Sequence, residues 1–181
     1  MADDRERIGV SYDVKPHAYD PDKNPELFEG VPARRLVAFV IDLAILTIPL
    51  MLLWIFFFVI GLVTLGFGFP LLGTIPALSV LWAIYYYGTT LGGPRSATIG
   101  MRAMEIEMRT WYGSPSYFVL GAVHAVVFWV TVSALTPFIL LVCFFNARRR
   151  LLHDFLVGTV VVNNAPRAQA LAGALRPGRP V

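Results

Sequence analysis

Arg35 and Asp42 stand seven residues apart in the run ARRLVAFVIDLAIL, residues 33–46. After Asp42 the chain carries no charged side chain until Arg95. On a helix, seven residues turn through about 700°, so the two side chains share nearly one face, ~10.5 Å apart along the axis. A carboxylate this far inside an apolar segment is costly unless it faces a bundle interior, holds a proton or has a cation beside it. Arg35 extends toward Asp42 along its own helix, but the gap calls for water or a third group. Asp154, in RRRLLHDFLVGTVVV, is the natural third member. Such a set supports two chemistries. A carboxylate with a movable guanidinium can bind and release a proton or a cation. A buried ion pair can instead be a polar clamp that fixes the first helix against the C-terminal segment. The clamp is the preferred reading.

His124 lies in the apolar stretch GAVHAVVFW. It is expected to be neutral and hydrogen-bonded to a neighbouring helix or to backbone. The other roles open to it are haem or pigment ligation and proton relay, and no second intramembrane histidine is expected beside it. His153 precedes Asp154 and follows Arg148, Arg149, Arg150 and two leucines. It is expected at the interface near lipid headgroups, because no spacing supplies the further ligands of a metal site. The three arginines read as an orientation signal that also suits anionic lipid. The single cysteine, Cys143, cannot form an internal disulfide and is expected to pack. Ser114 and Ser116 lack nucleophile partners, and no phosphate-loop sequence occurs. No enzyme, no cofactor and no metal is expected.

The elements that must position these residues are membrane helices. The chain is 56% hydrophobic and 15% charged, where a soluble domain carries about 25% charged residues. Its net charge of +3 is modest, and its arginines flank apolar blocks. That is the pattern of membrane orientation, not of a nucleic-acid groove. Residues 1–30 are polar, lack the apolar core of a cleavable signal, and are expected to form a mobile tail. The first apolar block is therefore expected to stay as an anchor, running from about 33 to 60 with Pro49 as a kink site. GLVTLGFGFP then turns the chain. A second span is expected over 71–87, with Tyr85, Tyr86 and Tyr87 in an interfacial aromatic belt.

Residues 104–109, MEIEMR, alternate in period two, so a half-buried strand is expected there. GTVVVN, residues 158–163, reads as its partner. The block 117–145 would be ~43 Å long as one helix, against a hydrocarbon core of ~30 Å. Placing all basic groups on one side requires an even number of crossings between them, which favours a second hairpin turning near Thr136. Residues 164–181 are expected to be a loose tail. The fold class is thus an all-α polytopic membrane protein with three or four transmembrane helices, four favoured, and a small strand pair at the cytoplasmic face.

Three stretches, RRLVAFVID, SATIGMRAMEIEM and FNARRRLLHDFLVGTVVV, are similar in order and spacing to the RDD family of bacterial membrane proteins. The resemblance covers residues 31–163. The arginine and two aspartates that name the family fall at Arg35, Asp42 and Asp154. Met101, followed by Arg102, stands where family members often have lysine, and Asn146 where an acidic residue is common. The resemblance implies the cytoplasmic membrane, with the N-terminus on the cytoplasmic side. The expected role is a non-catalytic accessory or assembly subunit of a larger membrane complex, with Arg35, Asp42 and Asp154 as its clamp. The alternative is an oligomeric transporter of ions or small solutes that uses Asp42 as its binding carboxylate, since transport has been proposed for the family. The expected partners are the lipid bilayer and other membrane subunits or the chain itself, and no nucleic acid.

Overall fold

The computed structural model describes residues 18–135 and 142–175. Helix α1, Val31–Val63, begins with Pro32 in its first turn, where a missing amide hydrogen is harmless. It continues through Pro49 as one helix. Its buried positions are few and lie on one narrow face: Ala38, Asp42 and Leu46, with Val31 and Gly61 near the ends. The helix stops in a left-handed residue, Leu65 (φ 53°). There the Leu65 amide donates to Leu62 O and the Gly66 amide to Gly61 O, which satisfies the last carbonyls. A 3-10 turn, Phe69–Thr74, folds the chain back. Phe69 lies so close over Gly61 that a Cβ there would sit 2.2 Å from its ring.

Helix α2, Ile75–Leu91, runs one turn beyond the expected end and carries Thr89 and Thr90 inside it. Their hydroxyls donate to the carbonyls of Tyr85 and Tyr86, so the helix needs no outside partner for them. With its preceding turn, each of α1 and α2 is long and apolar enough to cross a membrane. Helix α4, Phe118–Leu135, packs closely on α2 through glycines. A Cβ on Gly121 would meet Leu91 and the Tyr87 carbonyl at 2.9 and 3.0 Å. Between them lie helix α3, Ile99–Ala103, and strand β1, Ile106–Thr110. After α4 come a 3-10 turn, Val142–Phe145, helix α5, Leu152–Val157, strand β2, Thr159–Asn163, and helix α6, Ala165–Leu175.

β1 and β2 pair antiparallel, with Met108 opposite Val161 and Thr110 opposite Thr159. The expected strand pair is present. β1 starts two residues late because Met104 closes α3 and Glu105 takes a left-handed conformation (φ 56°). All five residues of β2 are buried. Its two faces are covered by different groups: Val161 joins the cluster of Val31, Ala38, Tyr86 and Met108, whereas Val160 and Val162 pack on Phe28.

Three expectations are corrected. Residues 18–30 are not a loose tail, because the buried Asn163 amide donates to Glu26 O and Glu29 O and holds this segment against β2. Residues 165–175 are helical, since Asn164 accepts from the Arg167 amide at the helix start and Ala168 is buried. Of the three tyrosines assigned to an interfacial belt, only Tyr85 is exposed; Tyr86 and Tyr87 are buried because they lie on the face of α2 turned to the core. The expected turn near Thr136 lies outside the described residues.

Candidate functional site

The chemistry-bearing side chains gather where the helices meet the strand pair, in two neighbouring sites. The first belongs to Asp42, which is 4% exposed. Its Oδ1 accepts from the Tyr86 hydroxyl at 2.5 Å and the Gly100 amide at 2.8 Å. Its Oδ2 accepts from Thr98 Oγ1 at 2.6 Å. Thr98 is also the N-cap of α3, accepting from the Met101 amide. The Tyr86 oxygen in turn accepts from the Ile99 amide. Gly100 is demanded by space: a Cβ there would lie 2.2 Å from the Ala38 carbonyl oxygen. The element SATIG thus wraps a carboxylate of α1. Three donors on two oxygens give a charged group what water would otherwise provide.

The second site is built on Asp154, which is fully buried. Arg35 binds it through both arms, Nη1 to Oδ2 at 2.5 Å and Nη2 to Oδ1 at 3.0 Å. Oδ2 also accepts from the Leu151 amide, so the same carboxylate caps α5. Beside it, His124 Nδ1 lies 3.2 Å from Thr159 Oγ1, and its Nε2 is 3.9 Å from Asp154 Oδ1. The His153 ring is buried edge-on against His124 and Phe128, with centroids at 4.9 and 5.0 Å. Its Nε2 lies 3.3 Å from Arg35 Nη2 and 3.5 Å from Asp154 Oδ1. Burial pushes the His153 imidazole down to about 3. Burial pushes the Asp154 carboxyl up, but Arg35 and His153 outweigh it and hold it well below the usual carboxylate range.

Arg35, Asp42 and Asp154 therefore do not form one cluster. Arg35 joins Asp154, while among the described residues the hydrogen bonds of Asp42 go to α2 and to the start of α3. The physical reason is reach: Asp42 lies two turns deeper, level with Tyr86 and Gly100 rather than with the guanidinium. His124 has the expected hydrogen bond, although its partner is a strand threonine. His153 is not exposed but buried beside His124, so the expectation of a His124 without a histidine neighbour is corrected. Arg150 is likewise turned inward. Its Nε donates to Thr159 O and its Nη2 to Asp154 O, and its guanidinium stacks on Trp111 and Phe155 at 4.8 and 4.1 Å. Arg148 donates to Tyr19 O, and Arg149 is half-buried with φ 52°. Asn146 both accepts from the Arg150 amide and donates to the Val142 and Arg150 carbonyls, a double role that a carboxylate cannot fill.

Sequence reasoning missed Tyr86, Thr98 and Gly100 as the partners of Asp42. The small, capping-type residues of SATIG were a signal for a helix start, but nothing local tied that start to an acid 56 residues earlier. It also missed the His124–His153 meeting, which arises from the packing of α4 on α5.

A family model, that of the RDD family, matches residues 30–158. No curated protein and no solved structure matches the chain. The matched region contains Arg35, Asp42, His124, His153 and Asp154 and both membrane-length helices α1 and α2, so the chain belongs to the RDD family.

Proposed function

We propose that this RDD family protein is a non-catalytic accessory or assembly subunit of a larger complex in the cytoplasmic membrane, with its N-terminus and strand pair on the cytoplasmic side. The observation that carries the reading is the state of the two acids. Asp42 and Asp154 have their oxygens engaged by Tyr86, Thr98, Gly100, Arg35 and Leu151. Carboxylates held this way lock helices to a cap; a transport carboxylate must release its partners in each cycle. The membrane half of α1 offers the working surface. Ile48, Met51, Leu52, Ile55, Phe56 and Val59 are exposed, as are Trp54 and Phe58 beside them, so this part of α1 is apolar nearly all round and open to lipid or to another helix. The approach of His124 to Asp154 supports an even number of crossings between α4 and α5, since both ends of that segment meet at one side.

The test is purification in gentle detergent of the wild-type chain and of a variant with Leu52→Ala, Ile55→Ala and Phe56→Ala. A stoichiometric assembly with a larger membrane protein, lost in the variant at unchanged membrane abundance, is expected. A pure homo-oligomer whose reconstituted vesicles carry an ion flux abolished by Asp42→Asn would replace this reading with the transporter.

A further inference from the structure

We infer that His124 Nε2, His153 Nε2 and Asp154 Oδ1 form a site for a first-row divalent transition metal, with zinc as its type ion. The three donor atoms lie within 4.8 Å of one another, and all three residues are buried. Two of the separations are 3.5 and 3.9 Å. Around a tetrahedral zinc with bonds of about 2.0–2.1 Å, donor atoms are about 3.3 Å apart, so modest rotations of the two rings close the set. Two imidazoles and one carboxylate suit zinc-class ions better than magnesium or calcium, which take oxygen donors.

The surroundings are those of a ligand set rather than of packing alone. His124 Nδ1 faces Thr159 Oγ1, an outer partner that orients the ring and leaves Nε2 directed at Asp154. Asp154 divides its oxygens. Oδ2 accepts from Leu151 and Arg35 Nη1, while Oδ1, among the described residues, accepts from Arg35 Nη2 and faces both histidines. His153 Nδ1 is buried with no partner among the described residues, which leaves the Nε2 that faces the carboxylate as the ring's polar contact there. Arg35 Nη2 lies at the same two atoms, His153 Nε2 and Asp154 Oδ1, that the metal would take. The guanidinium is thus the metal's competitor: on loading, Nη2 withdraws and Nη1 keeps Oδ2. With three protein ligands, a fourth position is left for water or a small anion.

The experiment uses tag-free full-length protein in detergent, stripped with chelator, then titrated with Zn2+ and, separately, Co2+. One Zn2+ per chain is expected. Co2+ is expected to give visible bands of tetrahedral intensity, which Zn2+ abolishes and excess Mg2+ does not. His124→Ala and His153→Ala should each weaken Zn2+ binding at least tenfold. The Co2+ spectrum of the wild-type protein needs no variant, so a misfolded mutant does not leave the question open. Absence of Co2+ bands, or Zn2+ binding unchanged in both well-folded histidine variants, would overturn the site and leave Asp154 to the guanidinium of Arg35.

Discussion

At the scale of single residues, the two acids make different demands. Asp42 receives only donors, so Asp42→Asn places an amide hydrogen against one of them. A loss of about 1–3 kcal/mol is expected from the unsatisfied group, read as a lower Tm in detergent. Tyr86→Phe should cost about the same, because it removes one of the three donors; a Tm equal to wild type would contradict the site. Acid should weaken the Arg35–Asp154 dock. His153 sits near 3 against an ordinary 6.5, and Asp154 below its ordinary 3.8. The unfolded chain therefore binds the extra proton at His153 from about pH 6.5 downward, and at Asp154 below about pH 4. Arg35 and His124 face both groups and do not reverse the sign. Stability is full at neutral pH and falls through this window; a Tm that is flat or rises from pH 7 to pH 4.5 would refute it. Much of this was readable in the sequence: an arginine and an aspartate in an apolar run demand partners. Which partners they take was not, because Arg35 reaches α5, 119 residues along the chain, and Asp42 is served by a tyrosine that composition alone assigns to the interface.

At the scale of elements, the period-two pattern of MEIEMR and the valine run before Asn163 predicted β1 and β2, and they pair. Helix α6 was hidden by its proline, glycine and arginine, although Asn164 is an N-cap residue and the alanines that follow are good helix formers. Gly88 in α2 and Gly121 in α4 carry no signal of their own in the sequence. Their meaning lies in the close approach of the two helices, which single-chain periodicity does not carry. Gly121→Val should open this seam, since the Tyr87 carbonyl cannot yield. Loss of the folded species on size exclusion is expected, whereas an unchanged profile would show that α4 can step away from α2. Gly100→Ala should be at least as severe, its new Cβ meeting the α1 backbone.

At the scale of the whole molecule, the cap joins the start of α1, the end of α2, the start of α4 and the α5–β2 unit. Arg34 donates to Met104 O, Asn163 to Glu26 O, and His124 contacts Thr159. Residues before α1, in β1 and in β2 therefore share one side. In a Cys143→Ala background, single cysteines introduced at Asp22, Tyr112 and Asn164 should label together from one face of sealed vesicles; labelling from opposite faces would break the shared-cap arrangement. The composition told of a membrane protein, and the order of the three motifs told of the family. The division of the polar residues into an Asp42 site and an Asp154 site is a property of the packed chain.

The central claim is that the Arg35–Asp154 pair fastens α1 to the C-terminal unit. A double-mutant cycle in detergent with Arg35→Met and Asp154→Leu tests it most directly. Each single variant strands a buried charge and should lose about 3–5 kcal/mol, while the double variant should lose far less than the sum. Strictly additive losses would show that the guanidinium and the carboxylate do not hold each other, and the clamp would be contradicted.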